Sequence, residues 1–337
     1  MRCSTLASRL LERGADVHLL CRLEPGCPDW VRDSFPGEIH ELASENAALS
    51  ENSDDLSHSS WLPVSQIHDA SQCLEVLADK VSKKVVECVV VDHYALDARW
   101  HRHIKPVCSK LVAIDDLADR DLDVDVLIDQ NRDRDVAEIA YRDFVSNNTQ
   151  ILAGPSWSLI RNEFCRHRER ERKLNAANPR LLLLMGGSDP DSLTSKALSS
   201  LISVSHPLDI TAVVGEGYQL DHLRSLGDSM NHSVDIRLAE RNMAALMSSA
   251  DLSLSAAGST VWELCCMGVP MVLIAEEDNQ AAVVQQAELA GAAIRLPTLD
   301  PPSLKAVLST ILNGRGRLES MSRAGQSLVD GFGAERV

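Results

Sequence analysis

The second half of the chain repeats one pattern. A short apolar run ends at a glycine or a small residue, and a stretch with helical spacing follows. The runs are RLLLLMGG (180–187), LDITAVVGEG (208–217), SVDIRLAE (233–240), DLSLSAAG (251–258) and VPMVLIA (269–275). Runs such as RLLLL and VPMVLI, with no polar alternation, fit strands covered on both faces. Helical spacing occupies 190–204, 242–250, 259–268 and 279–291. Strand–helix–strand alternation of this kind predicts a parallel sheet with helices on both sides.

The first half reads the same way, less regularly. Leu6, Ala7, Leu10 and Leu11 share one helix face over 2–13, and Gly14 stops that helix. ADVHLLCR (15–22) is expected to be a buried strand. Residues 23–63 are polar and read as loop, with one weak strand near 38–42; a helix is expected over 66–80. VVECVVVDHY (85–94) predicts a central strand, 95–107 a helix or turn, and KLVAIDD (110–116) and VDVLIDQN (124–131) two further strands. The mixed-charge stretch RNEFCRHRERERKL (161–174) predicts a solvated connecting helix laced by pairs along its own face. The expected fold class is therefore α/β: two Rossmann-type, doubly wound parallel-sheet domains facing a cleft. Their expected bounds are 1–160 and 179–337, with a linker helix over 161–178.

Composition narrows the partners. The 337 residues carry a formal charge of −16, which discourages a non-specific grip on nucleic acid or on an anionic lipid surface. It leaves phosphate ligands open, because glycine turns and helix N-termini bind anions through backbone N–H groups. Hydrophobic residues at 45% and charged residues at 24% describe a globular chain rather than a disordered one. The nine cysteines form no C-x-x-C and their number is odd, so buried, reduced thiols and a cytoplasmic location are expected, with Cys88 and Cys265 inside apolar segments. No apolar run approaches the ~18 residues of a membrane span, and the N-terminus carries no secretory signal core.

Three segments carry chemistry. In LLLLMGGSDP (181–190), Gly186 and Gly187 follow a buried strand, and Ser188 or Asp189 can cap the next helix; the turn is either a diphosphate cradle or simply a capped β–α turn. In ADLSLSAAGSTVWELCCMGVPMVLI (250–274), a strand ends near Gly258 and a helix starts at Ser259–Thr260, where an anion can sit on the helix mouth. Glu263 lies one turn on, either as an acceptor for ribose hydroxyls or as an exposed helix former. In EEDNQAAVVQQ (276–286), Asn279 and Gln280 follow the next strand, as sugar contacts or as part of an N-cap by Asp278 or Asn279. In the first half, Asp92, His93 and Tyr94 end one strand, and Asp115, Asp116, Asp129 and Asn131 end two others. His101 and His103 form an H-x-H in a basic helix read as exposed. No metal and no cofactor is expected, since no His/Asp spacing matches a ligand set. G-x-S-x-G, P-loop and G-x-G-x-x-G are all absent.

GGSD together with SAAGSTVWELCCMGVPMVLI…DNQ resembles the C-terminal domain of MurG-like, GT-B-fold enzymes that bind UDP-sugars. MRCSTLASRLLERG, VVVDHYALDARW, AIDDLADRDLDVDVLIDQN and LAGPSWSLIRNEF narrow the resemblance, over nearly the whole chain, to PseG-like hydrolases of UDP-2,4-diacetamido-2,4,6-trideoxy-β-L-altropyranose in pseudaminic acid biosynthesis. That resemblance implies metal-free hydrolysis of the sugar–UDP bond with inversion at the anomeric carbon. It implies UDP contacts from Gly186, Gly187, Ser188, Asp189, Met243, Ser255, Gly258, Ser259, Thr260 and Glu263. Sugar contacts would come from Asn279, Gln280, Tyr94 and Asn131, and catalytic roles would fall to Tyr94 and Asp92. The family motif G-x-G-H-x-x-R-C ends here at Arg2–Cys3, so its base His and its first strand would lie upstream of Met1, and the family usually continues beyond DGFGAERV (330–337). Poor hydrolysis by this chain is the expectation. The rivals are a MurG-like glycosyltransferase passing the sugar to an acceptor, and a UDP-sugar-binding remnant without turnover. A UDP-sugar is the expected partner, nucleic acid and membrane are not, and a monomer is expected.

Overall fold

The computed structural model describes residues 2–23, 32, 34–43, 55–81, 85–169, 172–175, 177–187, 189, 192–275, 280–314 and 316–337. The chain divides into two compact units, Met1–Leu159 with Ala334–Val337, and Ile160–Gly333.

The second unit is a six-stranded sheet, entirely parallel where its strands pair. Its strands are β7 (Arg180–Leu184), β8 (Asp209–Val214), β9 (Ser233–Leu238), β10 (Leu252–Ala256), β11 (Met271–Ile274) and β12 (Ala293–Arg295), in the spatial order β12-β11-β10-β7-β8-β9. The chain lays β8 and β9 to one side of β7, then crosses and lays β10 to β12 on the other. Side-chain alternation feeds two apolar layers. Leu181 and Leu183 of β7 join Leu252, Leu254, Val272 and Ile274 in one cluster. Leu182 and Leu184 join Met271 and Leu273 in the other. The first layer is covered by helices α6 (Leu193–Leu201), α7 (Leu220–Asp228), α11 (Pro301–Leu312) and α12 (Arg317–Leu328). The second is covered by α5 (Asn162–His167), α8 (Met243–Ser249), α9 (Thr260–Met267) and α10 (Gln280–Leu289).

Helix α9, TVWELCCM, explains its own position. Val261, Trp262, Leu264, Cys265, Cys266 and Met267 are all buried, so only a site inside the protein can hold it. Gly268 ends it in the left-handed region at φ 67°: Gly268 N–H donates to Cys265 O (2.9 Å) and Val269 N–H to Leu264 O (2.9 Å), the Schellman pattern. Asp251, at the start of β10, is fully buried. It accepts from Arg180 Nε (3.0 Å), Arg180 Nη2 (3.1 Å), Arg180 N–H (2.9 Å) and Asn175 N–H (3.2 Å), which fixes the entry of β7 against that of β10.

The first unit holds a parallel four-stranded sheet, β3 (Val89–Val91), β4 (Leu111–Ile114), β5 (Val126–Asp129) and β6 (Gln150–Ala153), in that order. Two further parallel strands, β1 (His18–Cys21) and β2 (Glu38–Glu41), form a separate two-stranded sheet. Helix α1 (Arg2–Glu12) leads into β1, α2 (Gln66–Lys80) precedes β3, α3 (Ala98–Ile104) follows it, and α4 (Arg134–Ala140) follows β5. The core beneath contains Trp100, Ile104, Leu111, Leu127 and Tyr141.

Several expectations are corrected. The 85–94 run is strand only over Val89–Val91, at the edge of its sheet: Val86 bridges Cys108, the ladder then breaks, and Cys88 is exposed rather than buried. Strand β1 is half-buried; among the described residues only β2 pairs with it. His101 is buried, not exposed; burial lowers its pKa to about 4, and its Nδ1 accepts from Asp123 N–H (3.3 Å). The charged stretch after Ile160 is helical only over Asn162–His167. Among the described residues, Arg161 pairs with Glu163 within the stretch, whereas Arg168 and Arg172 turn to distant carbonyls instead of a helix face. Arg168 donates to the carbonyls of Val329 (3.2 Å) and Gln326 (2.8 Å), and Arg172 to those of Met267, Met247, Ser248 and Ala250, the last turns of α9 and α8. Cations at helix C-termini complement the dipole and satisfy carbonyls that the helices leave open.

Candidate functional site

In an open α/β sheet the carboxyl edge at the strand-order reversal is the place where loops part and a ligand fits. In the second unit that reversal lies between β7 and β10, which pair through Leu184↔Ser255. The turn after β7 carries Gly186 and Gly187, and the turn after β10 carries Gly258. A side chain at any of these three would meet no atom within 4 Å, so the backbone is open on that side. Gly186 sits at φ 91°, a conformation that favours glycine. The neighbouring turn after β8 buttresses the cradle from behind: a Cβ on Gly215 would fall 1.8 Å from Gly187 O.

Helix α9 begins at this edge. Ser259 occupies its N-cap position in a helical conformation and makes no side-chain cap. The N–H groups of Ser259 and Thr260 stand at the mouth, where the positive end of the helix dipole favours an anion. Asp189 behaves differently. It is buried at φ 37°, and its carboxylate accepts from Leu193 N–H (2.7 Å) and Thr194 N–H (3.1 Å) at the start of α6, so its oxygens are spent on capping. Ser255 is buried and its hydroxyl donates to Ala256 O (2.9 Å). Met243 opens α8 and packs on the core beneath. Gln280 opens α10, just beyond β11. Ser188 and Asn279 lie outside the described residues.

Glu263 lies one turn into α9. Its carboxylate accepts from Arg161 Nε at 3.2 Å, and the same guanidinium stacks over Phe164 and pairs with Glu163 at 2.6 Å. Burial pushes the Glu263 carboxyl up, and Arg161 counters part of that push. Arg161 is missing from the sequence-derived list. The only local signal is a cation set between the apolar Leu159–Ile160 and Phe164.

In the first unit the carboxyl edge of β3–β5 is a continuous polar layer. Arg2, at the start of α1, grips Asp92 with two nitrogens, Nη2 to Oδ1 at 2.6 Å and Nε to Oδ2 at 3.3 Å, and reaches Asp116 Oδ2 at 3.9 Å. Cys3 Sγ donates to Asp92 Oδ2 at 3.6 Å; burial and the Asp92 charge push that thiol up to about 12. Tyr94 donates its hydroxyl to Asp116 Oδ1, and Asn131 Nδ2 donates to Asp116 Oδ2 at 2.6 Å. Burial and the charge of Asp116 push the Tyr94 phenol upward. At neutral pH Tyr94 is therefore a donor and not a base. Burial also raises the Asp129 carboxyl, with Arg132 Nη1 offsetting it from 2.8 Å. Behind them, Asp115 is held by Arg120 (2.8 Å) and the Tyr141 hydroxyl (2.8 Å).

The structure thus brings Asp92, Tyr94 and Asn131 into one layer, linked by Arg2 and Asp116. Asp92, Asp115, Asp116 and Asp129 face Arg2, Arg120 and Arg132, so the layer is net negative. Carboxylates in such a layer are acceptors for hydroxyl and amide N–H groups. The aromatic rings of His58, Trp61 and Tyr94 cluster at its side, with centroids 4.8 to 5.8 Å apart. Sequence reasoning missed Arg120, Arg132 and Tyr141, whose partners are 5, 3 and 26 residues away in the chain.

Among the described residues, no helix is long and apolar enough to cross a membrane. Residues 181–332 match the glycosyltransferase family 28 C-terminal domain. An uncharacterized protein of Methanocaldococcus jannaschii is 28% identical over 200 residues, which are 58% of this chain and 41% of that protein. The spore coat polysaccharide biosynthesis protein SpsG of Bacillus subtilis is 28% identical over 205 residues, 59% of this chain and 60% of SpsG. The matches therefore span less than two thirds of either relative. The crystal structure of Acinetobacter baumannii MurG superposes with a TM-score of 0.63 at 15% identity, covering 100% of this chain and 93% of that one. The chain thus has the α/β architecture of GT-B proteins, two Rossmann-like units of parallel sheet, the second of which matches the family 28 C-terminal domain.

Proposed function

We propose that this chain binds a UDP-sugar through its second unit and transfers the sugar to an acceptor, as a MurG-like glycosyltransferase. The observation that carries the reading is the open glycine edge at Gly186, Gly187 and Gly258, set at the strand-order reversal within the segment that matches a glycosyltransferase domain. The diphosphate lies on those backbones and on the mouth of α9. As the C1–O bond breaks, the electron pair leaves with UDP, and the N–H groups and dipole of α9 meet the growing negative charge. Glu263 accepts from the ribose hydroxyls, with Arg161 orienting it.

A second reading is favoured by the first unit's strand-end layer. Tyr94, Asp116 and Asn131 sit on the segments that resemble PseG-like hydrolases, and they offer donors and acceptors suited to an acetamido sugar. In that reading water replaces the acceptor, and a UDP-linked 2,4-diacetamido-2,4,6-trideoxyhexose is hydrolysed with inversion, in pseudaminic acid biosynthesis.

One experiment separates these readings. Full-length protein is titrated calorimetrically with UDP, then incubated with UDP-sugars with and without candidate acceptors while UDP release is followed. Acceptor-dependent release supports transfer, and release into water alone supports hydrolysis. Binding without release leaves a UDP-sugar binder. Failure of UDP to bind sinks all three.

A further inference from the structure

The two-stranded sheet β1–β2 takes no part in the proposed chemistry, yet it carries a cluster with a different character. His18 of β1 lies opposite Glu38 of β2, and His40 lies two residues on along β2. Strand periodicity puts all three side chains on one face, the face that also carries Leu20 and Leu42 toward the apolar core. His40 is 9% exposed. One buried and one half-buried imidazole beside a carboxylate, on the face that leads to the apolar core, need a reason.

The distances suggest one. His18 Nδ1 and His40 Nε2 are 2.9 Å apart, His18 Nδ1 and Glu38 Oε2 3.6 Å, and His40 Nε2 and Glu38 Oε1 3.9 Å. The three groups can offer ligand atoms that all lie within 4.8 Å of one another. Tetrahedral zinc with ligands at ~2.0–2.1 Å has ligand–ligand separations of about 3.3–3.4 Å, between the 2.9 Å of the imidazole pair and the 3.6 and 3.9 Å from the imidazoles to the two carboxylate oxygens. The far nitrogen of His18, Nε2, is buried without a hydrogen-bond partner and lies 3.3 Å from Asp16 Oδ2. A carboxylate on the outer nitrogen of a metal-bound histidine is the usual arrangement that orients the ring and raises its basicity.

The geometry points to a divalent metal site of the zinc class, with His18, His40 and Glu38 as ligands and Asp16 behind His18. Two imidazoles and one carboxylate suit zinc and its borderline neighbours rather than magnesium or calcium, which prefer oxygen. Three protein ligands leave a fourth position for water. The metal clips β1 to β2. Among the described residues these two four-residue strands pair with each other alone, so such a clip adds to what their packing supplies. This site departs from the sequence expectation of no metal, which rested on the lack of a His/Asp spacing that matches a ligand set. It is independent of the UDP-sugar readings, because none of its residues belongs to either strand-end layer.

The test uses the metal-free full chain and Zn²⁺ alone. Calorimetry is expected to show one equivalent bound. Glu38→Gln, whose side chain is 64% exposed and therefore safe for folding, should weaken binding at least ~10-fold. His18→Ala should abolish it. Zn²⁺ should also raise the melting temperature of the wild type and leave that of Glu38→Gln nearly unmoved. The nine thiols are the obvious competitors, so Co²⁺ is substituted and its spectrum recorded. Absence of a thiolate charge-transfer band supports the imidazole–carboxylate site. No binding, unchanged affinity in either variant, or a strong thiolate band would overturn it.

Discussion

The buttress behind the glycine edge gives the most direct test of where phosphate sits. In Gly215→Ala the new methyl carbon would fall 1.8 Å from Gly187 O, 2.8 Å from Gly187 C and 3.2 Å from its Cα. Carbon and carbonyl oxygen touch at about 3.3 Å, so the two turns must part by roughly 1.5 Å. Both partners are backbone, and no rotamer can absorb the move. Overpacking of this kind costs about 1–3 kcal/mol of stability. More telling is the cradle, which must shift by more than the tolerance of a hydrogen bond. Losing one backbone N–H bond to a charged phosphate costs ~1.5–3 kcal/mol, or about 10- to 100-fold in affinity. Gly217→Ala is the control: its φ of 84° strains alanine by ~1–2 kcal/mol, but the methyl would meet nothing within 4 Å. Calorimetry with UDP on both folded variants is the assay. We expect Gly215→Ala to lose UDP and Gly217→Ala to keep it. Wild-type affinity in folded Gly215→Ala would refute the reasoning, because the Gly186–Gly187 turn would then not hold the ligand.

Other outcomes follow from the same geometry. Glu263→Gln should weaken UDP binding yet steepen neither limb of the stability profile. The Glu263 carboxyl is raised by burial, so its contribution is full below the unfolded carboxylate range and is lost as pH rises through the folded value. The variant should therefore gain on the wild type above that range, as read by denaturant melts at several pH values. Tyr94→Phe removes the donor to Asp116 and leaves Asn131 as its near partner; a loss of about 1.5–3 kcal/mol is expected in chemical denaturation. Asp251→Ala strips a fully buried carboxylate from Arg180 and from two backbone N–H groups. A loss of ~3–5 kcal/mol is expected, and thermal unfolding of the second unit would report it.

What the sequence disclosed was what repeats locally. The helix expected over 66–80 is Gln66–Lys80, and the apolar runs of the second half became β7, β8, β10 and β11 because their leucines and valines admit no exposed face. The glycine turns were readable for the same reason. What escaped depends on partners distant in the chain. Val89–Val91 reads as a central strand from composition alone, but centrality is a matter of neighbours, and among the described residues its sheet supplies only β4. Glu263 looked solvated or ligand-bound, and its partner Arg161 lies 102 residues away. Arg172 reads as a surface charge until the carbonyls of α8 and α9, 75 and 95 residues on, are brought to it. His18 and His40 lie in what reads as an ordinary strand and a loop-rich stretch. Only parallel pairing sets them side by side.

The burial of α9 has a practical consequence. Cys265 and Cys266 are fully covered, and burial alone lifts the Cys265 thiol to about 12, so almost none of it is thiolate at neutral pH. Such a sulfur meets a reagent only when the helix leaves the core. Cys88, exposed at the edge of the other unit, is accessible in the native protein. The chain thus carries its own pair of clocks. One thiol starts at mixing, and the other runs at the rate at which the second unit opens.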